Sequence, residues 1–334
     1  MKTFIPRDYA PTLGLYDTQK AIGIIKSDFQ VKLCAALHLK RVTAPLFVEP
    51  STGLNDDLNG VERAVTFDIP SAGCDAQVVH SLAKWKRLAL KRYNFFVGNG
   101  LVTDMNAIRR DEELDNIHSI YVDQWDWEKV IDESMRNREY LEDTVKRIVS
   151  AICGTLDELK WQFSELETEL CRDVTFITSQ ELEDRYPDLT PKERENAIVR
   201  EHKTVFIEQI GGKLRSGHRH DGRAPDYDDW SLNGDLLFWH DTLGIALEIS
   251  SMGIRVDSET LDRQLTLSGC DDRRKLPFHR MLLADQLPLT IGGGIGQSRL
   301  CMLLLGKAHI GEVQSSTWDQ NTMDICEQAG ILLL

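Results

Sequence analysis

The segment Gly292–Arg299, with the sequence Gly-Gly-Gly-Ile-Gly-Gln-Ser-Arg, constrains the fold of this chain more than any other stretch. Its four glycines lack a Cβ atom, so the backbone there can approach a ligand closely and adopt positive φ. The apolar run Leu300–Leu305 follows at once and predicts a buried helix whose first turn contains Gln297, Ser298 and Arg299. Unpaired N–H groups at a helix N-terminus, together with a guanidinium, suit an anionic ligand such as a phosphate. A tight turn leading into a core helix is the alternative interpretation.

This glycine-rich segment matches neither of two common nucleotide-binding motifs. A P-loop requires a lysine at the position where Gln297 stands. A dinucleotide fingerprint that starts from Gly292 and Gly294 would need its third glycine at the same position. The pattern alone therefore predicts either an anion site or a turn. The residues of other segments are needed to choose between the two.

Length, charge and cysteine spacing limit the class of protein. The 334 residues carry a net charge of −14, which disfavours a large nucleic-acid interface because such an interface needs a basic face. The seven cysteines are widely spaced without a Cys-x-x-Cys pair, a pattern typical of reduced thiols. The N-terminus has no apolar signal region, and no apolar run reaches the ~18 residues of a membrane span. We therefore expect a cytoplasmic protein with no nucleic-acid or membrane partner.

Hydrophobic periodicity predicts a single domain over 1–334 with an α+β fold, in which helices flank a mainly antiparallel sheet. Residues 17–40 form the clearest amphipathic helix, and a strand over 41–48 follows with Pro45 at its centre, which indicates an edge or interface strand. The other predicted elements are a polar loop at 50–60, a strand at 77–81, a helix at 82–93, strands at 101–108 and 117–124, a helical region at 127–170, a helix from Thr190, strands at 234–239 and 244–249, and helices at 258–267 and 278–286.

Two pairs of predicted strands carry charged residues that suit phosphate chemistry. The strands at 101–108 and 117–124 form a hairpin, and Arg109 at its turn suits a phosphate clamp. Asp235 and Glu248 lie on consecutive strands and can approach each other, which suits Mg²⁺ beside a phosphate site. A solvated charged turn and an ordinary strand pair with a polar end are the respective alternatives.

Three further polar segments suit small ligands. His80 and Ser81 lie where a strand becomes a helix, shortly before Lys86, and favour a carboxylate or phosphate site, with a solvated surface helix as the alternative. The segment Ser250–Arg255 offers two serines and an arginine for a small carboxylate. In the polar loop 216–230, two histidines could ligate a metal with the nearby aspartates, although loop histidines are more often solvated. The last set comprises His218, His220, Asp226 and Asp228.

Taken in order, these segments resemble one family, the ammonia-dependent aspartate–ammonia ligases of the asparagine synthetase A type. The resemblance runs through nearly the whole chain and is carried by His80–Arg87 (HSLAKWKR), Tyr121–Trp127 (YVDQWDW), Asp221–Trp230 (DGRAPDYDDW), Leu232–Asp235 (LNGD), Ser250–Arg255 (SSMGIR) and Gly292–Arg299 (GGGIGQSR). The family's fold is similar to the catalytic core of class II aminoacyl-tRNA synthetases. The resemblance therefore implies that helix 17–40 and strand 41–48 form a homodimer interface, and that the Arg109 hairpin and 292–299 correspond to the second and third motifs of that class.

The resemblance implies an ATP-dependent ligase that converts L-aspartate and ammonia to L-asparagine. The aspartate side-chain carboxylate would attack the α-phosphate of ATP to give β-aspartyl-AMP and pyrophosphate, and ammonia would then displace AMP. The implied catalytic residues are Arg109, Arg299, Lys86 and Gln124, and the implied Mg²⁺ ligands are Asp235 and Glu248. The implied ATP contacts are Arg109, Ile117, Ser119, Ile120, Asp235, Glu248, Gly294 and Arg299. The implied aspartate or asparagine contacts are Thr52, His80, Ser81, Lys86, Gln124, Asp126, Asp228, Ser250, Ser251 and Arg255.

The resemblance is weakest in the early loop, where better-known members of the family have an aspartate and this chain has Thr52. Glu49, Asp56 and Asp57 are the candidates to supply that carboxylate, unless the substrate is held differently. The same loop is expected to close over the substrate, with Gly53 and Gly60 as hinges.

Two rival functions share part of this chemistry. A true aminoacyl-tRNA synthetase shares the adenylate step, but the chain shows no appended anticodon-binding domain and no basic excess. A regulator that only binds aspartate or asparagine would not need two phosphate arginines, Arg109 and Arg299, together with two metal-binding acids. No glutaminase domain is visible, so free ammonia is the expected nitrogen donor.

Overall fold

The computed structural model describes residues 2–56 and 62–334, so Asp57 and Gly60 of the early loop lie outside the described residues. The strands are β1 (Leu39–Arg41), β2 (Phe47–Val48), β3 (Thr66–Ile69), β4 (Cys74–Val78), β5 (Gly100–Ile108), β6 (Tyr121–Val130), β7 (Thr175–Thr178), β8 (Thr204–Glu208), β9 (Asp228–His240), β10 (Ile245–Arg255) and β11 (Thr290–Gly296). The α-helices are α1 (Leu15–Leu37), α2 (Ala83–Arg92), α3 (Arg138–Gln162), α4 (Ser179–Arg185), α5 (Pro191–His202), α6 (Ser258–Leu267), α7 (Pro277–Leu283), α8 (Gln297–Leu304) and α9 (Gln320–Gln328).

An eight-stranded sheet with the order β1-β5-β6-β11-β10-β9-β8-β7 forms the centre of the fold. It is mostly antiparallel, as predicted, but a parallel pair lies at each edge, β1 with β5 and β7 with β8. A second sheet has the order β2-β4-β3. Across 2–56 and 62–334, no helix combines the length and apolar character that a membrane crossing requires.

The predicted amphipathic helix at 17–40 is α1, and it ends three residues earlier than predicted. Its apolar residues recur at three- and four-residue spacing and are fully buried, including Ile25, Phe29 and Leu33. Phe29 packs edge-on against Trp125 of β6, with ring centroids 4.8 Å apart. Each such side chain contributes roughly 1.5–3 kcal/mol through removal of apolar surface from water. The helix ends at Leu37 because His38 adopts a left-handed conformation, with φ of 60°.

Two predicted elements differ from the observed ones in a way that matters for the site. The predicted helical region at 127–170 is wrong at its start, because Trp127–Val130 continues β6 and the helix begins only at Arg138. Alternation along β6 buries Trp125 and Trp127 in the core cluster and leaves the polar residues between them for the opposite face. The predicted strand at 41–48 is broken around Pro45 into β1 and β2, which join different sheets.

The glycine-rich segment is neither a loop nor a turn. Gly292, Gly293 and Gly294 belong to β11, inside the large sheet, and none of them has positive φ. The missing Cβ atoms instead make room for neighbouring side chains, because a Cβ on Gly292 would overlap the carboxylate of Glu128, and one on Gly294 would overlap the amide of Gln124. The predicted helix after the glycines is confirmed, since α8 begins at Gln297.

Candidate active site

A cavity of about 460 Å³ lies over the polar faces of β6, β10 and β11. Gly293, Gly294 and Gly296 of β11 line it, so the cavity reaches the backbone of the sheet there. Most of the predicted site residues line it, namely His80, Ser81, Lys86, Arg109, Ile117, Ser119, Gln124, Asp126, Asp228, Glu248, Ser251, Arg255, Gly294 and Arg299. Segments separated by more than 200 residues therefore converge on one site.

Two predicted aspartate contacts do not line this cavity. Thr52 lies in a short 3₁₀ helix, Pro50–Thr52, and its hydroxyl donates a hydrogen bond to the backbone oxygen of Glu49 at 2.6 Å. Ser250 is 1% exposed and lies between Leu236 and Ile295 in the sheet, while the neighbouring Ser251 lines the cavity.

Two predicted ATP contacts also lie behind the cavity wall. Ile120 precedes β6, and its backbone oxygen accepts a hydrogen bond from the backbone N–H of Arg109 at 2.8 Å. Asp235 of β9 lies behind Arg223, which lines the cavity and forms an ion pair with it. Asp235 is therefore separated from the cavity by Arg223, a residue that was not predicted from the sequence.

The inner end of the cavity is defined by the lining residues Lys86, Asp126, Asp228 and Arg255, together with Glu128, which pairs with Arg255 without lining the cavity. It consists of buried ion pairs. Arg255 Nε donates to Glu128 Oε1 at 3.0 Å and Nη2 donates to Oε2 at 2.8 Å, while Nη1 contacts the carboxylate of Asp228. Lys86 Nζ contacts Asp126 and donates to the backbone oxygen of Gly293 at 3.0 Å. Each of the five side chains is at most 5% exposed.

These pairs determine the charge state of Glu128. Burial opposes its ionised form, but Arg255 and then Lys86 more than offset burial and hold the pKa of this carboxyl below its ordinary value. Thr290 contributes a further hydrogen bond, from its hydroxyl to Glu128 Oε1 at 2.7 Å. A carboxylate that is stabilised in this way keeps its charge, and it holds the guanidinium of Arg255 in one orientation.

The outer end of the cavity is defined by Arg109, Arg223, Arg299 and Glu248, with Asp235 behind Arg223. It is looser at Arg109, Arg299 and Glu248 than at the Arg223–Asp235 pair, whose side chains are 11% and 9% exposed. Arg299 Nη1 donates to the backbone oxygen of Glu248 at 3.2 Å and lies 3.9 Å from its Oε2. The Arg299 and Glu248 side chains are 22% and 39% exposed. Arg109, at the end of β5, is 29% exposed and lies 3.6 Å from a carboxylate oxygen of its neighbour Glu112.

Asp235 and Glu248 have the chemistry of Mg²⁺ ligands. Both offer carboxylate oxygens, which Mg²⁺ prefers. Burial, and to a smaller extent the charge of Glu248, raises the pKa of Asp235 to about 7, although Arg223 opposes the shift. Over the described ranges, no group of three or more His, Cys, Asp or Glu side chains is arranged to hold a metal ion. Two carboxylates fit Mg²⁺ that takes its remaining ligands from phosphates and water.

The alternative metal site in the loop at 216–230 is not formed. His220 Nε2 lies 3.2 Å from Glu195 Oε1, on α5. Asp226 is fully buried and forms an ion pair with Lys84, at 3.2 Å. Asp228 belongs to the inner end of the cavity. The acidic residues of this loop are therefore paired with cations rather than grouped around the histidines.

In the early loop, Asp56 rather than Thr52 lies beside residues that line the cavity, His80 and Tyr227. Asp56 is 1% exposed, and its backbone oxygen accepts a hydrogen bond from His80 Nδ1 at 3.1 Å. The side-chain oxygen of Asn55 accepts from the backbone N–H of His80 at 2.8 Å. Burial, and next the charge of Asp56, raises the pKa of Tyr227, which lines the cavity. Asp56 therefore contacts a residue that lines the cavity, whereas Asp57 lies outside the described residues.

Glu128 and Arg223 were missed from the sequence, and both left a signal. Glu128 directly follows the string Tyr121–Trp127, and strand alternation places it on the same face as Gln124 and Asp126. Arg223 lies inside the string Asp221–Trp230. Glu128 was missed because a helix was predicted to start at residue 127. Arg223 was missed because only the histidines and aspartates of its loop were considered as ligands.

A family model described as aspartate-ammonia ligase matches residues 16–330. The chain belongs to the aspartate–ammonia ligase family. The aspartate–ammonia ligase of Clostridium perfringens strain SM101 is 60% identical over 334 residues, which cover 100% of this chain and 99% of that relative. The aspartate–ammonia ligase of Levilactobacillus brevis is 58% identical over 335 residues, with 100% of both chains covered.

Solved structures show the fold of this aspartate–ammonia ligase family member. Asparaginyl-tRNA synthetase of Entamoeba histolytica, in complex with asparaginyl-adenylate, matches with a TM-score of 0.64 and 14% identity, over 89% of this chain and 66% of that one. The Pyrococcus horikoshii asparaginyl-tRNA synthetase with asparaginyl-adenylate also has a TM-score of 0.64, with 15% identity over 89% of this chain and 68% of that one. The predicted similarity to the class II synthetase catalytic core is confirmed.

Proposed function

We propose that this ligase forms L-asparagine from L-aspartate, ammonia and ATP by way of a β-aspartyl-AMP intermediate, with release of AMP and pyrophosphate. The observation that carries the proposal is the division of one cavity into two ends. The inner end offers fixed cations and anions for a zwitterionic amino acid. The outer end offers three arginines and two acids for a triphosphate.

The inner end supports binding of aspartate. Lys86 and Arg255 supply positive charge for its carboxylates, and Asp126 and Asp228 supply negative charge for its α-ammonium group. One oxygen of Asp126, Oδ2, is buried and has no hydrogen-bond partner in the described part of the chain, so it can accept from that group. We assign Asp56 to the early-loop position in place of Thr52. Further contacts are assigned to His80, Ser81, Gln124 and Ser251, while Ser250 is left out because it does not line the cavity.

The outer end supports binding of ATP. We assign adenosine to the wall formed by Ile117, Ser119 and Gly294, with Ile120 supporting it from behind, and the phosphates to the arginines. Asp235 and Glu248 would hold Mg²⁺, which would neutralise phosphate charge when bound. Arg109 and Arg299 can stabilise the charge that grows on the α-phosphate, because fixed donors need no reorganisation during the reaction.

Two steps complete the reaction. In the first step, an oxygen of the aspartate side-chain carboxylate bonds to the α-phosphorus of ATP, and the bond from that phosphorus to pyrophosphate breaks. Lys86 and Gln124 are placed to orient this carboxylate. In the second step, the nitrogen of ammonia bonds to the activated carbonyl carbon, the carbon–oxygen bond to AMP breaks, and one proton is released. No covalent bond to the protein is needed.

The site is proposed to belong to one cytoplasmic catalytic domain that acts as a homodimer through α1 and β1. The outward face of α1 supports this interface, because it exposes Leu15, Tyr16 and Val31 at 47%, 78% and 67%. Replacing Tyr16 and Val31 together by glutamate should convert the dimer to a monomer in light scattering. A wild-type protein that is monomeric at micromolar concentration would overturn the interface.

An isotope experiment tests the adenylate route. Aspartate labelled with ¹⁸O in its side-chain carboxylate is incubated with ATP, Mg²⁺, ammonium and the protein, without tRNA. We expect asparagine, AMP and pyrophosphate in equal amounts, with one ¹⁸O atom in each AMP. ADP and phosphate as products would exclude the route, and a requirement for tRNA would favour a synthetase instead.

A further inference from the structure

Arg223 is a cation at the outer end of the cavity to which the proposed function assigns no individual phosphate. Its side chain is 11% exposed, and Nη2 forms an ion pair with Asp235. Nη1 donates to the backbone oxygen of Gly222 at 3.2 Å and lies 4.0 Å from a carboxylate oxygen of Asp221. Nε is buried and has no hydrogen-bond partner within 2–56 and 62–334. A charged donor is thus left unused beside an open cavity.

The partner of Arg223 is one of the two acids with the chemistry of Mg²⁺ ligands. The other acid, Glu248, has a looser contact with Arg299, whose Nη1 donates to the Glu248 backbone oxygen and lies 3.9 Å from Oε2. Each acid therefore has an arginine beside it, and both arginines line the cavity. The two pairs together carry no net charge.

Charge balance indicates which groups of a bound nucleotide can replace the acid–arginine contacts. ATP with Mg²⁺ brings four negative charges on the phosphates and two positive charges on the metal ion. If the two acids face Mg²⁺, that group is neutral, and Arg223 and Arg299 are free to face the phosphates. Both arginines then keep an anionic partner throughout, which avoids the large cost of an unpaired buried charge.

We infer that Arg223 binds the outer phosphates of ATP, which leave as pyrophosphate, by exchanging the Asp235 carboxylate for phosphate oxygens. This inference rests on the proposed function. The sheet order supports the outer phosphates, because Asp235 lies on β9, which is farther from the Arg109 hairpin than the β10 strand of Glu248. A guanidinium presents a planar pair of donors that matches phosphate oxygens.

Equilibrium binding measurements distinguish contacts to the outer phosphates of ATP from contacts to its α-phosphate. The variant Arg223→Met keeps much of the side-chain length and removes the charge. Calorimetry with AMP, with pyrophosphate plus Mg²⁺, and with ATP plus Mg²⁺ measures three dissociation constants for it and for wild type. We expect affinity for pyrophosphate and ATP to fall by roughly tenfold or more, because a charge-assisted pair is lost, while AMP affinity stays within about twofold. Arg215→Met is the control and should match wild type, since Arg215 is 73% exposed and pairs with Asp184.

The outcomes distinguish this inference from the proposed function. Unchanged pyrophosphate affinity in Arg223→Met, or an equal loss of AMP affinity, overturns the role of Arg223 even if wild type makes asparagine and AMP. Wild type that makes ADP overturns the proposed function itself. If Arg223→Met shows no cooperative melting transition, Arg223→Lys replaces it. Lysine keeps the charge without the planar fork, so pyrophosphate affinity should fall by about threefold with AMP unchanged, and an equal fall for AMP overturns the inference.

Discussion

Arg255 at the inner end of the cavity is 3% exposed and contacts two carboxylates, whereas Arg299 at the outer end is 22% exposed and lies 3.9 Å from one. Both residues are arginines beside acids, so the difference comes from their positions in the fold. Arg255 lies at the end of β10, where β6 and β9 bring acids to it from both sides. Arg299 lies in the first turn of α8, at the edge of the sheet's polar face.

This difference separates two tasks within one site. The inner end is complete before a ligand arrives, because nearly all of its hydrogen bonds are made within the protein. At the outer end, the pair of Arg299 with Glu248 is looser and can be replaced by a nucleotide, whereas Arg223 and Asp235 form a close, largely buried pair. We therefore expect substitutions at the inner end to lower stability strongly, and substitution of Arg299 at the outer end to lower activity with little change in stability.

The most severe test of the comparison is Arg255→Met. The variant leaves Glu128 and Asp228 buried without their cation, so the free energy of unfolding should fall by about 3–5 kcal/mol. Urea denaturation at pH 7 measures the change. Arg172→Met is the control, because Arg172 pairs with Asp157 at the surface, and it should unfold like wild type. A loss no greater than that of the control would show that the inner end is not held by its ion pairs.

Gly292→Ala tests the floor beneath the inner end. The added methyl group would overlap the Glu128 carboxylate and the Arg255 guanidinium, so we expect a loss of about 1–3 kcal/mol in unfolding free energy. Gly296→Ala is the matched control in the same strand, where the methyl group would meet no atom closer than the Cβ of Arg299 at 3.2 Å, so that only a small shift is needed. Equal stability of the two variants would mean that the inner pairs can move aside.

The two ends should respond to pH in opposite directions. Asp235 has a raised pKa of about 7, so the folded protein binds an extra proton below that pH, and stability is lost as pH rises from about 4 through 7. Glu128 has a lowered pKa, so its contribution is present above about 4.5 and is lost as pH falls through its folded value.

Substitution isolates each of these contributions. In metal-free buffer, Asp235→Asn should remove about 2 kcal/mol of the difference in unfolding free energy between pH 5 and pH 8. Glu128→Gln should leave that interval unchanged and flatten the curve only below pH 4.5. If both variants keep the wild-type slope between pH 5 and pH 8, the outer end does not titrate there.

The smallest effect on stability is expected for Arg299→Ala, with a change of less than about 0.5 kcal/mol in unfolding free energy. Its kcat should nevertheless fall by roughly 10²-fold or more, because a donor to the α-phosphate is lost. Steady-state kinetics and urea denaturation on the same preparation give both numbers. Loss of stability without loss of kcat would reverse the comparison between the ends.

The fold was predictable where a local pattern determines the element. The period of α1 and the capping box at Thr190, which precedes α5, lie within single segments, so both helices were found. The end of α1 depends on the left-handed conformation of His38, which no periodicity records. The alternation of aromatic and acidic residues at 125–128 is typical of a strand, but it directly precedes a long helical pattern and was assigned to that helix. Pairing with β5 and β11 shows that these residues continue β6.

The site was predictable as a set of residue types but not as a set of pairs. Sequence strings such as Ser250–Arg255 indicate which residues contact ligands. They do not indicate that Arg255 donates hydrogen bonds to Glu128. That pairing joins residues 127 positions apart and depends on sheet order. The same reason explains Ser250, which faces away from the cavity although its neighbour Ser251 faces into it.

The glycines of β11 limit how the substrate range of this enzyme can be changed. Where they lie, the floor of the cavity is main chain, and the backbone oxygen of Gly293 itself accepts a hydrogen bond from Lys86. A floor made of main chain has no side chain to shorten, and every substitution adds atoms. Directed evolution toward a longer acid therefore has to open the site from its rim, through the early loop and the segment around Arg223, because its depth is already at the limit.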